Sequence, residues 1–62
     1  MSTLPQQPPL HPGDLVRFIP DRHHIEIVET CELVLSPVPH WRVVTTWGNN
    51  RRRIADAAEF VM

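Results

Sequence analysis

Trp41-Arg42-Val43-Val44-Thr45-Thr46-Trp47-Gly48-Asn49-Asn50-Arg51-Arg52-Arg53-Ile54 is the stretch that decides how this chain folds. Val43, Val44, Thr45 and Thr46 are β-branched, restricted at χ1, and suit a pleated strand better than a helix. In a strand, Trp41, Val43, Thr45 and Trp47 share one face, and Arg42, Val44 and Thr46 share the other. Gly48, Asn49 and Asn50 accept positive φ at low cost, so the chain reverses there. Arg51 to Ile54 then run back antiparallel. Alternation divides the basic run: Arg51 and Arg53 point one way, Arg52 and Ile54 the other. The hairpin holds both tryptophans and four of the six arginines.

Upstream of the hairpin, Ser36-Pro37-Val38-Pro39-His40 reads as a rigid loop, because two prolines disfavour helix. Before it, residues 25–35 form the longest β-favouring run, and alternation makes strand preferable to helix there. Ile25, Ile27, Cys31, Leu33 and Leu35 fall on odd positions, Glu26 and Glu32 on even ones. Glu29 breaks this pattern, and a bulge or bend near Val28-Glu29 would restore the register. Leu15 to Ile19 reads as a first strand after a Pro12-Gly13-Asp14 turn. Pro20 to His24 reads as a loop, since Pro20 stops the strand and Asp21 suits a turn. Downstream, Asp56 can cap a short helical turn with Glu59 three residues on, as in a capping box. Phe60-Val61-Met62 is a short last strand that closes onto the first.

Residues 1–12 contain four of the seven prolines. They read as a disordered, polyproline-like arm, separate from a domain over residues 13–62. Pro5-Gln6-Gln7-Pro8 and Pro9-Leu10-His11-Pro12 have the P-x-x-P spacing of short recognition motifs, without a basic anchor beside them.

A chain of 62 residues makes one small domain with a marginal core, so oligomerisation or a bound partner would help stability. A complete active site in such a monomer is not expected. The formal charge of −1 argues against a generic polyanion binder. It is unevenly spread. Residues 1–40 carry Asp14, Asp21, Glu26, Glu29 and Glu32 against Arg17 and Arg22, a net of −3. Residues 41–62 carry Arg42, Arg51, Arg52 and Arg53 against Asp56 and Glu59, a net of +2. Every basic side chain is arginine, the residue suited to bidentate recognition and ring stacking. Cys31 is the single cysteine, which excludes an internal disulfide and fits the cytoplasm. No run approaches the roughly 20 apolar residues of a membrane span, and no secretion signal opens the chain.

The expected fold is all-β: five short strands with one helical turn before the last. This order resembles an SH3-like small barrel over residues 12–62. Gly13-Asp14-Leu15-Val16-Arg17 resembles the Gly-Asp-x-Val-Arg opening of many bacterial SH3-like domains, including KOW-type domains and the type II dihydrofolate reductases. The resemblance to the reductases implies a homotetramer with a pore lined by a Val-Gln-Ile-Tyr stretch. The matching place here reads Arg52-Arg53-Ile54-Ala55, so only the isoleucine agrees. Three adjacent arginines repeated around one pore would also repel one another. The activity is therefore not carried over, and that enzyme stands as a second alternative.

No Ser-His-Asp arrangement, glycine-rich phosphate loop or paired catalytic carboxylates can be placed, so no catalytic residue, cofactor or metal site is expected. His11, His23, His24 and His40 sit in expected loops, and adjacent His23 and His24 on an extended chain point apart. Cys31 reads as a small core residue. The candidate partner-binding residues are Trp41, Trp47, Arg42, Arg51, Arg52 and Arg53, since tryptophan and arginine concentrate at interface hot spots. At least one tryptophan is expected to fill the core instead. The reading is a non-enzymatic binding or adaptor module, of bacterial or phage type, that docks a protein partner. A nucleic-acid-binding module is the alternative, because arginines grip phosphates and rings stack on bases; the KOW resemblance points the same way. An acidic patch of Glu26, Glu29 and Glu32 facing the arginines of a second copy would make a homo-oligomer.

Overall fold

The computed structural model describes residues 7–62. Five antiparallel strands form one sheet: β1 (Leu15–Phe18), β2 (Asp21–Val34), β3 (His40–Trp47), β4 (Arg51–Asp56) and β5 (Phe60–Val61). Their spatial order is β4-β3-β2-β1-β5. Among the described residues no ladder joins β4 to β5, so the all-β class holds while the sheet remains open at these two strands.

The central hairpin forms as its residues dictate. Trp47 faces Arg51, Thr45 faces Arg53 and Val43 faces Ala55 across the β3–β4 ladder. Gly48 and Asn50 take the positive φ values, 58° and 63°, that reverse the chain. Trp41, Val43 and Thr45 are buried along one face, while Arg42 is exposed on the other.

The bulge falls at the expected place. β2 pairs with β3 through Val28↔Thr45 and then Thr30↔Val44, leaving Glu29 as the extra residue. One extra residue reverses the alternation on either side of itself. Past the bulge, odd positions turn inward, and Cys31 packs against the core. Before it, even positions do: Glu26 and Val28 are buried, and Ile25 and Ile27 are exposed. The odd-position apolar set therefore does not share one face. Ile25 and Ile27 lie on the outer side, and the carboxylate between them lies inside.

Two further expectations change. Residues 21–24 are strand rather than loop, because Phe18 pairs with Asp21 and confines the turn to Ile19-Pro20. Cross-strand pairing there overrides the weak β-propensity of Asp and His. Core packing also reaches back before Gly13. Leu10 is buried in the core with Val16, Val28, Val43 and Phe60. The Gly13 amide donates to the Val28 carbonyl at 2.8 Å, and the Val28 amide donates to the Asp14 carbonyl at 2.9 Å. Within the Pro9-Leu10-His11-Pro12 spacing Leu10 is inside, while Pro9, His11 and Pro12 are exposed. Residues 1–6 of the expected arm, and with them half of the Pro5-Gln6-Gln7-Pro8 motif, lie outside the described residues.

The end of the chain follows its capping signal. Ala57–Glu59 form a 3-10 turn; the Ala58 amide donates to Asp56 Oδ1 at 2.9 Å, and the Asp56 amide donates to Glu59 Oε2 at 3.3 Å. Phe60 is thereby delivered into the core, and β5 pairs with β1 through Phe18↔Phe60. Each large apolar side chain buried this way contributes about 2 kcal/mol, so a core of five such residues is small.

Candidate functional site

Alternation on three adjacent strands places a polar and aromatic cluster on the inner face, beside the apolar core. β2 contributes His24 and Glu26, β3 contributes Thr45 and Trp47, and β4 contributes Arg53. Thr45 and Arg53 are direct cross-strand partners, and Thr45 also faces Val28, two residues beyond Glu26.

Glu26 is the centre of this cluster, with none of its surface exposed. Burial of a carboxylate is costly unless it is paired and hydrogen-bonded. Here it has three partners. Thr45 Oγ1 donates to Oε1 at 2.6 Å. Arg53 Nε lies 3.2 Å from both carboxylate oxygens. His24 Nε2 lies 2.9 Å from Oε2.

Arg53 and His24 are held by rings. The Arg53 guanidinium carbon sits 3.8 Å from the centroid of the Phe18 ring and 4.9 Å from that of Trp47. The His24 ring stacks on Trp47 at 4.7 Å with an interplanar angle of 18°. Phe18 in turn packs on Phe60 at 5.6 Å, linking the cluster to the core. Guanidinium over a ring face is an attractive geometry worth about 0.5–2 kcal/mol. The arrangement satisfies the buried Glu26 side chain and fixes four strands against one another; its one hydroxyl, that of Thr45, is fully buried.

The six hairpin residues singled out from sequence do not form one surface. Trp41 is buried at 8% exposure, and its indole N–H has no hydrogen-bond partner among the described residues. It is thus a tryptophan that fills the interior. Arg42 and Arg52 project from the outer face and reach Glu32 and Glu29, each at 3.5 Å. Exposed pairs of this kind contribute little, up to about 1 kcal/mol. Arg53 turns inward to Glu26. The expected acidic patch is therefore divided too: Glu26 is internal, and Glu29 and Glu32 are already met by arginines of the same chain.

Trp47 and Arg51 remain together at the hairpin end. Trp47 is half-buried and Arg51 is exposed. Of the four hairpin arginines, Arg51 alone has no carboxylate partner among the described residues. The two residues border an open groove of about 520 Å³, also lined by Ile27, Thr46, Gly48, Asn50 and the Glu29–Arg52 pair.

Glu26, Thr45, His24 and Phe18 were not legible as a unit. The signal available was the His24-x-Glu26 spacing, which puts both on one strand face, but it requires that residues 21–24 be strand. His23 and His24 do point apart: the His23 side chain is 94% exposed and that of His24 is 29% exposed. Among the described residues no group of three or more metal-ligating side chains converges, and no helix is long and apolar enough to cross a membrane. Compared with protein-family models, with curated proteins and with solved structures, the chain matches none.

Proposed function

We propose that this chain is a non-enzymatic binding module, working in a reducing compartment, whose open sheet is a variant of the SH3-like small barrel. It docks a protein partner at the end of the β3–β4 hairpin. The carrying observation is the uncompensated Arg51 beside Trp47 on an open groove with Ile27 in its wall. Arg42, Arg52 and Arg53 each meet a carboxylate of the chain itself, so one cation rather than four is offered there. A single cation with an aromatic and an aliphatic neighbour suits a peptide segment with one acidic side chain or a terminal carboxylate.

Nucleic acid is supported less. Affinity for a polyanion grows with the number of phosphates neutralised. Trp41 is interior, and the ring of Trp47 already carries His24 and Arg53, which leaves less of it for a base.

The test is an amide NMR titration with a mixed RNA and DNA pool at two salt concentrations, beside affinity capture with wild type and Arg51→Ala. The expected result is no shift with nucleic acid and a captured protein that Arg51→Ala loses at unchanged melting temperature. Shifts confined to residues 47–54 that fade with salt would replace this reading with the nucleic-acid one.

A further inference from the structure

The bulge at Glu29 leaves the outer side of the sheet unusually apolar. Leu15, Ile25, Ile27, Ile54 and Val61 are between 40% and 63% exposed. Register makes them neighbours: Leu15 faces Ile27, Ile27 faces Thr46, Val44 faces Ile54, and Val61 faces Arg17. Ile25, Leu15 and Val61 also line one shallow depression with Arg17 and Arg22. A contiguous apolar face rimmed by charge is the mark of an interaction surface.

The charges at its two ends differ in sign. At the β1 end, Arg17 and Arg22 have no carboxylate partner among the described residues. At the far end of β2, Glu32, Arg42 and Asp56 form one cross-strand row with a single net negative charge. Between them, Arg52 and Glu29 cancel. A face that is positive at one end, apolar with one internally compensated ion pair in the middle and negative at the other is complementary to itself. A two-fold axis in the plane of contact, running across the strands, lays the arginine end of one copy over the acidic end of the next. Isologous contacts are built in this way.

We propose that the outer face of the sheet is the interface of a homodimer, the occupant being a second copy of this chain. This differs from the intramolecular Arg–Glu pairs and does not depend on the hairpin-end reading. The two surfaces share Ile27, Glu29, Thr46 and Arg52, but Leu15 and Ile54 belong to the outer face alone.

The experiment is sedimentation equilibrium of the full chain from about 1 µM to about 1 mM, the range that covers modest self-affinity. Wild type is expected to reach a dimer. Leu15→Glu and Ile54→Lys, both exposed positions, should each raise the dimer dissociation constant about 100-fold or more, since each puts a charge into the apolar contact and offsets the net charge at its own end of the face. Far-UV circular dichroism should show both folded. Leu35→Glu, at a position 68% exposed beyond the end of β2, should leave the dimer unchanged. A wild type that stays monomeric throughout leaves the face to another occupant and overturns the proposal. So does an assembly of higher order, or a dimer that Leu15→Glu and Ile54→Lys leave intact.

Discussion

Glu26 and Arg53 are where a single side chain matters most. The carboxylate is wholly inside, and Arg53 is its only arginine partner among the described residues. Removing one member of a buried pair strands the other, at a cost of about 3–5 kcal/mol. Arg53→Ala is therefore expected to lower unfolding free energy by about 3 kcal/mol in urea titration. Arg51→Ala, exposed and unpaired two residues earlier, should stay within about 0.5 kcal/mol of wild type. Equal effects would mean that Glu26 does not depend on its guanidinium. Joint removal of Arg51 and Arg53 is accordingly no test of a binding face, because Arg53 is structural. The tryptophans separate in the same manner. The Trp47→Phe variant, which reports on buried Trp41, should resist acrylamide quenching; the Trp41→Phe variant should be quenched more strongly.

At the scale of elements, the bulge in β2 governs which residues are inside. Glu29 is the one residue without a cross-strand partner between Val28 and Thr30. Deleting it would force one half of β2 to exchange its faces. Either Glu26 would leave Arg53 and Ile25 and Ile27 would enter the core, or Cys31 and Leu33 would turn outward. The expected outcome is loss of the cooperative thermal transition; a deletion variant that melts like wild type would show that the bulge is dispensable. The 3-10 turn is a smaller device. Asp56→Ala removes the acceptor of the Ala58 amide and should cost about 1 kcal/mol. Its effect reaches β5, because the turn aims Phe60 at Phe18.

For the whole molecule, the ratio of buried to exposed apolar residues is the telling feature. Among the described residues six hydrophobic ones are buried, while ten large ones remain exposed. A small domain with so limited a core gains from covering the remainder. If copies pair through the outer face, melting temperature must rise with protein concentration, since association stabilises only the folded form. Calorimetry at two concentrations about a hundredfold apart should show a rise of several degrees for wild type. The Leu15→Glu variant should show none.

Much of this fold was legible in the chain. β-Branched runs, the Gly48-Asn50 reversal, the Asp56 cap and the anomaly at Glu29 are local signals, and each depends on residues within a few positions of one another. They determined the strand order along the chain, the hairpin register and the position of the bulge. Tertiary structure alone decided the faces. A bulge tells that the alternation reverses but not which half is inward; that choice follows from what lies across the sheet. Thr45 and Arg53, 19 and 27 residues away, are what make a buried Glu26 tolerable. The same long-range choice moved Ile25 and Ile27 outside, took Arg53 out of the candidate surface, and left Arg51 and Trp47 at the hairpin end.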